Sequence, residues 1–217
     1  MRTSRGIPGW ILAIATVVSI LVFRLPAISG QSEISPAVQT AGPPWRNPDP
    51  PCFDNTNRYV NCGNGTVTDT VTGMIWLQDA GCLGLLNWAE ANQAAAVLRS
   101  GQCGLTDRSR PGDWRLPSNA EWRETVDVAR NHPNLQCRNP ALTADSGSTC
   151  FGSGSGSSFS NVTSGQYDIF WSSTTNFQTV GIPPVAQTAG VMALSDGTVG
   201  TFYQKTVPQQ VWPVRVR

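Results

Sequence analysis

Few side chains in this sequence have the types and spacing that covalent catalysis requires. His132 is the single histidine, and it stands beside Pro133. A serine–histidine–aspartate triad would depend on this one residue, whose place after a predicted helix is typical of a solvated surface side chain. Because no nucleophile–base pair can be assembled from the chain, we expect no catalytic residues and predict that the protein is not an enzyme.

The cysteines have spacings that suit disulfides better than metal binding. They are Cys52, Cys62, Cys82, Cys103, Cys137 and Cys150. An even number in an exported chain predicts three disulfides, although 15 pairings are possible. Nearest-neighbour pairing (52–62, 82–103 and 137–150) would close a loop at the domain start, a segment with a helix, and a variable loop. A zinc site would need Cys-X-X-Cys spacing or more histidines, and neither is present.

Calcium is the other metal to weigh, because residues 61–69 are rich in asparagine, glycine and aspartate. Calcium takes six to eight oxygen ligands, whereas this loop offers one carboxylate, that of Asp69. A tight turn explains Gly63 and Gly65 more simply. We therefore predict no metal site and no cofactor.

Arginines form the pattern that points most clearly to a ligand. Seven lie in a window that also holds five acidic residues: Arg99, Arg108, Arg110, Arg115, Arg123, Arg130 and Arg138. The planar guanidinium group suits sulfate and carboxylate, although surface ion pairs with the five acids are the simpler explanation. Arg115 is expected to be structural. Arg108, Arg110 and Arg138, on predicted loops, are the ligand-binding candidates, and Arg215 has no acid near it in sequence beyond Asp196.

The N-terminal sequence indicates export. Arg2 and Arg5 precede 14 uncharged, largely apolar residues, 10–23. That run is too short for a membrane-spanning helix of about 20 residues but suits a signal peptide, which we predict over residues 1–30. Arg24 leaves an uncleaved anchor as an alternative. The remainder is expected in the periplasm, on the outer surface or in the medium.

A proline-rich linker is predicted over residues 31–51, and the folded domain over 52–217. Three of the 15 basic residues precede the linker, so the rest of the chain carries 12 basic and 14 acidic residues, a net charge of −2. This balance argues against nonspecific nucleic-acid binding. Membrane contact is expected only through the N-terminal segment.

Two capped helices must position the loops that carry these side chains. One begins in the segment Trp114, Arg115, Leu116, Pro117, Ser118, Asn119, Ala120, Glu121 and Trp122. There Ser118 and Glu121 have the spacing of a capping box, and Pro117 keeps Leu116 extended, which predicts a helix to about residue 130. Asn87 and Glu90 predict another capping box, for a helix to about residue 99.

Strands are predicted before and after these helices. The apolar pattern favours strands near residues 66–68, 74–77, 169–173, 189–194, 198–204 and 211–216, with Asp196 and Gly197 in a hairpin turn. Residues 131–166 show no periodicity and include a serine–glycine tract. We predict a long, locally flexible loop there, closed by Cys137 and Cys150.

Several motifs resemble the Lcl C-terminal domain family, the domain that closes the Legionella collagen-like adhesin. They are residues 63–69, 72–76, 114–122, 170–175 and 211–215, in the family's order. The resemblance implies an α+β, C-type-lectin-like fold, with two helices on a small antiparallel sheet, paired first and last strands, and a long specificity loop. The related formylglycine-generating enzymes use a reactive cysteine pair with copper, and this chain has no spare pair for that role.

Two functional hypotheses follow. The namesake adhesin binds sulfated glycans, so the resemblance implies an exported, non-catalytic binding module for an anionic or sulfated glycan. Its ligand would meet the 131–166 loop, the candidate arginines, and the loop aromatics Phe151 and Phe159. The alternative is a structural component of the bacterial envelope that meets a protein partner through Trp45, Phe151 and Phe159.

Overall fold

The computed structural model describes residues 48–131, 134–152, 154, 156–162, 168–175 and 187–216. The predicted signal segment, Trp45 in the linker, and His132 lie outside this part of the chain. Within it, no helix has the length and apolar character needed to cross a membrane. The described helices are α1 (Trp88–Val97) and α2 (Asn119–Asn131). The described strands are β1 (Tyr59–Asn61), β2 (Thr66–Asp69), β3 (Ile75–Leu77), β4 (Leu85–Leu86), β5 (Ile169–Thr175), β6 (Thr188–Ala193), β7 (Thr198–Gln204), β8 (Gln209–Gln210) and β9 (Val214–Arg215).

The strands form two sheets where the sequence predicted one small sheet. The first is antiparallel, with the order β1-β2-β3-β9, and the second has the order β4-β8-β5-β6-β7, with β5 and β8 parallel. The predicted α+β class with two helices is confirmed. The last strand pairs with β3 instead of the first strand, because β1 occupies the far side of β2. β4 and β8 were not predicted, since two residues are too few to show an alternation.

A cluster of aromatic rings fills the space between α2 and the first sheet. Trp122 of α2 lies 5.0 Å from Trp76 of β3, measured between ring centroids, and Trp212 lies 5.3 Å from Trp76. All three side chains are almost wholly buried. Large rings contribute most of the apolar area that a domain of this size can bury, so this cluster is the centre of the core.

The start of α2 has the predicted capping box. The backbone N–H of Glu121 donates to the Ser118 hydroxyl (3.2 Å), and the Glu121 carboxylate accepts from the backbone N–H of Ser118 (2.7 Å). The same carboxylate accepts from both terminal nitrogens of Arg115, at 2.8 and 2.6 Å. The backbone of Arg115 in turn exchanges hydrogen bonds with Val214. Arg115 thus joins the start of α2 to β9, since its side chain pairs with Glu121 and its backbone with Val214.

α1 begins as predicted but ends two residues early. Asn87 and Glu90 form the capping box in both directions, and Ala91 and Ala95 are buried. The helix stops at Val97 because Leu98 adopts an extended backbone (φ −61°, ψ 137°) that keeps its side chain in the core. The backbone N–H of Arg99 then donates to the side chain of Gln102 instead of continuing the helix.

The three disulfides are the nearest-neighbour pairs Cys52–Cys62, Cys82–Cys103 and Cys137–Cys150. The Cys82–Cys103 loop contains β4 and α1, the Cys52–Cys62 loop contains β1, and the Cys137–Cys150 loop lies in the irregular region after α2. Such cross-links stabilise the fold mainly by restricting the unfolded chain, each by about 3 kcal/mol for loops of this length.

The predicted exposure of Phe159 is wrong. Its side chain is only 6% exposed and packs edge-on against Tyr59 (4.9 Å) and Trp212 (5.0 Å). Much of the predicted flexible loop is likewise packed, since residues 141–144 are buried. The serine–glycine composition predicted an exposed loop. Burial of one large ring, Phe159, is enough to hold its small polar neighbours against the domain. Phe151 is half-buried and packs against the same core.

We expect Glu121→Gln to lower stability by about 1 kcal/mol at neutral pH, because it removes the ion pair with Arg115 but keeps the cap acceptor. Partial burial raises the pKa of Glu121, but hydrogen bonds from Arg115 and Ser118 outweigh this and hold the pKa below its ordinary value of 4.5. A carboxyl with a lowered folded pKa stabilises the fold above its unfolded pKa. The difference between the two proteins should therefore be fully present above about pH 4.5 and should disappear as the pH falls through the lowered folded pKa of Glu121.

Urea unfolding at a series of pH values measures this difference. Glu121→Ala is the matched comparison, since it removes the cap as well and should cost about 1 kcal/mol more. A Glu121→Gln penalty that stays constant from neutral to acidic pH would show that the ion pair is not its source.

Candidate functional site

The structure does not bring the five predicted ligand residues together. Arg108 binds the carboxylate of Asp49 through Nε (2.7 Å) and Nη2. Arg138 lies at the turn between β6 and β7, where Nη1 donates to the carbonyl of Asp196 (3.5 Å). Phe159 is in the core and Phe151 is half-buried against it. The predicted set is therefore divided among at least three places.

The region around Arg108 is built from distant parts of the chain. Arg110 follows closely and presents its backbone N–H to the carboxylate of Asp113 (2.7 Å). A cleft of about 650 Å³ adjoins this region. Its lining residues are Pro48, Asp49, Pro50, Pro51, Asp113, Arg215 and Val216.

The sequence suggested that Arg215 has no acid partner, but the structure pairs it with Asp107. Its guanidinium lies 3.2 Å from Asp107, and the two side chains are 2% and 0% exposed. This pair could not be predicted locally, because 108 positions separate its members. We expected Asp107 to pair with an arginine of residues 99–138, but β9 places Arg215 beside it. Burial lowers the pKa of Arg215, and Asp107 opposes this effect.

A different group of arginines shares one surface, on the flank of α2 that faces β7. We call Arg123, Arg130 and Arg138 the basic seam. Nη1 of Arg130 donates to the carbonyl of Gly197 (3.1 Å), in the turn that also receives Arg138. Nη2 of Arg123 lies close to Gly200, since a Cβ atom added to Gly200 would be only 3.0 Å from that nitrogen. All three arginines are exposed.

The acids beside the basic seam are engaged with other groups. Asp196 accepts from the hydroxyl (2.7 Å) and the backbone N–H (2.8 Å) of Thr198. These bonds, with smaller contributions from Arg130 and Arg138, lower the pKa of Asp196. Asp127 accepts from the Asn131 side chain (3.1 Å). Among the described residues, no carboxylate lies within 4.0 Å of a seam guanidinium.

The sequence reading missed Arg123 and Arg130 as ligand candidates because it favoured loop arginines. A signal was available: the two are seven positions apart on a helix and therefore lie on the same flank, two turns from each other. What the sequence could not show is that the β6–β7 hairpin passes beside that flank and brings Arg138 to it. The hairpin turn at Asp196 and Gly197 was itself predicted and is confirmed.

In the loop considered for calcium, residues 61–69, the side-chain oxygens of Asn64 and Asp69 already accept hydrogen bonds from protein groups. Asp69, its carboxylate, binds the guanidinium of Arg58 at 2.9 Å in a buried pair. The Asn64 side-chain oxygen accepts from the hydroxyl (2.7 Å) and backbone N–H of Thr66. No group of three or more histidine, cysteine or acidic side chains in the described part of the chain could hold a metal ion.

The fold and its surface define a small, disulfide-bonded α+β domain with a basic flank, which fits an exported protein. The model of the Lcl C-terminal domain matches residues 65–215, and the chain belongs to that family. The family points to a secreted or adhesin-associated domain. No curated protein matches the chain.

The Asp107–Arg215 pair generates a stability prediction. Asp107→Asn keeps an oxygen acceptor for Ser109 but leaves the Arg215 cation buried without a neutralising charge. Removing one partner of a buried ion pair costs about 3–5 kcal/mol, so we expect a loss of that size in the free energy of unfolding. Denaturant titration of the oxidised protein measures it.

Asp113→Asn is the matched control, since it removes the same charge from a half-buried site and keeps an acceptor for the backbone of Arg110. That variant should lose less than about 1 kcal/mol. Equal losses in the two variants would contradict a special role for the buried pair.

Proposed function

We propose that this domain is a non-catalytic binding module that recognises an anionic or sulfated glycan through the basic seam. The observation that carries the proposal is the common position of Arg123, Arg130 and Arg138, with no ion pair to a carboxylate among the described residues. Ordinary surface arginines would be expected to pair with the neighbouring acids, but those acids bind Thr198 and Asn131 instead.

The spacing of the seam suits an extended, repeating ligand. Seven residues of helix separate Arg123 from Arg130, which corresponds to about 10.5 Å along the axis. Arg138 reaches the same β6–β7 turn as Arg130, where the two side chains contact the adjacent carbonyls of Asp196 and Gly197. Carbonyl contacts orient Arg130 and Arg138 and use only part of the five N–H donors of each guanidinium. The remaining donors can form charge-assisted hydrogen bonds to sulfate or carboxylate groups.

The site proposed here differs from the one that the sequence suggested. Arg138 is common to both, whereas Arg108 and Arg110 belong to the region around Asp49. The alternative of an envelope protein partner receives no support from the loop aromatics. Phe159 is in the core, Phe151 is half-buried, and Trp45 lies outside the described residues.

We expect replacement of all three seam arginines by glutamine to weaken binding of a heparin-derived hexasaccharide at least about ten-fold. Hydrogen bonds to charged groups contribute about 1.5–3 kcal/mol net, and exposed ones contribute less, so losing three supports a change of at least this size. Binding by the parent chain should also weaken as salt is raised, because exposed charges are screened. Titration calorimetry at low and physiological ionic strength measures both effects.

Single variants provide the matched control. Arg123→Gln and Arg99→Gln change the net charge equally, and both arginines are exposed, but Arg99 lies after α1 and outside the seam. Arg123→Gln should reduce affinity several-fold and Arg99→Gln should leave it nearly unchanged. If the parent chain binds no sulfated or acidic oligosaccharide at low salt, this ligand class is ruled out.

A further inference from the structure

Asp49 makes four kinds of contact with the domain that follows it. Its backbone N–H donates to the carbonyl of Asp107 (2.7 Å), and its carbonyl accepts from Nη2 of Arg215 (2.7 Å). Its carboxylate accepts from Nε of Arg108 (2.7 Å) and from the side-chain amide of Asn64 (3.1 Å). Asp49 precedes the family-matched region by 16 positions, yet three of its four partners lie within that region.

Two of the side chains that receive Asp49, those of Asn64 and Arg215, are fixed by contacts of their own. We call Asn64, Arg108, Arg215 and the carbonyl of Asp107 the Asp49 socket. Asn64 is held by Thr66, and its carbonyl accepts from the backbone N–H of Thr106 (2.9 Å). Arg215 is held by Asp107 and lies 5.5 Å from the ring centre of Trp114. Within the socket, the Arg108 guanidinium and the Asn64 amide donate to the carboxylate, while Arg215 and the Asp107 carbonyl hold the Asp49 backbone. A guanidinium and an amide that converge on a carboxylate make a binding site for that group.

We propose that the Asp49 socket is a carboxylate-binding site, filled in cis by Asp49, at which an external carboxylate competes. This site is separate from the basic seam and does not depend on the function proposed for it. Partial burial raises the pKa of Asp49, but hydrogen bonds from Arg108 and Asn64 outweigh it and keep the pKa low. The internal ligand is thus ionised at neutral pH.

The geometry allows exchange between the internal and external groups. The Arg108 side chain is 50% exposed and that of Asp49 is 23% exposed, so solvent reaches the ion pair directly. Exposed pairs are weak because water competes with both partners. The adjoining cleft, walled by Pro48, Pro50 and Pro51, gives room for the uncharged part of a ligand whose carboxylate enters the socket.

Asp49→Asn tests the proposal, because the amide keeps the size of the side chain and removes the competing charge. The variant is made in the full chain that also carries glutamine at the three seam positions, so that seam binding does not contribute. We expect fluorescently labelled tetragalacturonate to bind about five-fold more tightly, the factor by which an exposed ion pair changes an equilibrium. Fluorescence anisotropy measures the affinity, and a tetraglutamate peptide distinguishes a uronic acid from an acidic peptide as the preferred carboxylate.

Asp54→Asn is the matched control. Asp54 lies five positions after Asp49, and its carboxylate accepts from the nearby Thr56 and Asn57. The two variants have equal net charge, so only the socket distinguishes them. If Asp49→Asn binds both probes no more tightly than Asp54→Asn, the proposal is overturned.

Arg108→Gln supplies the second test. Added to Asp49→Asn, it should abolish the gain in affinity, because it removes the principal donor to the external carboxylate. Introduced alone, it leaves Asp49 in place and should give no increase. A gain that persists without Arg108 would place the carboxylate elsewhere and contradict the proposal. Since this series is measured without the seam, its failure is distinguishable from failure of glycan binding at the seam.

Discussion

Burial of tryptophan is the constraint on which this fold depends, because each buried indole carries an N–H that needs an acceptor. The indole of Trp122 donates to the carbonyl of Trp171 (3.1 Å), and that of Trp212 donates to Leu77 (2.8 Å). Trp171 donates to Leu86 (2.8 Å), and Trp88 to Ser172 (2.9 Å). Each of these four bonds joins different segments and so fixes the helices and strands relative to one another. The buried indoles of Trp76 and Trp114 have no acceptor among the described residues, and packing alone holds them.

Charge plays a second structural role, at the edges of the aromatic core. Arg58 with Asp69 and Arg215 with Asp107 are buried pairs, and Arg115 with Glu121 holds the start of α2. These pairs connect segments that disulfides do not reach. Arg123, Arg130 and Arg138 take no part in these ion pairs and lie together on the α2 flank, whereas Arg108 pairs with Asp49.

Local signals were readable from the sequence, and distant pairings were not. Both capping boxes, the hairpin at Asp196 and the three disulfides depend on residues close together in the chain. β4 pairs with β8 across more than 120 positions, and nothing in two residues predicts such a partner. The basic seam combines the two cases. Its helical spacing was visible in the sequence, but the approach of the hairpin that completes it required the fold.

The buried Arg58–Asp69 pair shows that the folding unit begins upstream of the family match. The family match starts at residue 65, whereas Arg58, β1 and the Cys52–Cys62 bridge all precede it. A fragment that began at residue 65 would keep Asp69 buried without the opposite charge of Arg58. It would also leave β2 as an exposed edge strand that could pair with another molecule. Residues 52–64 are thus part of the folding unit, although they precede the family match.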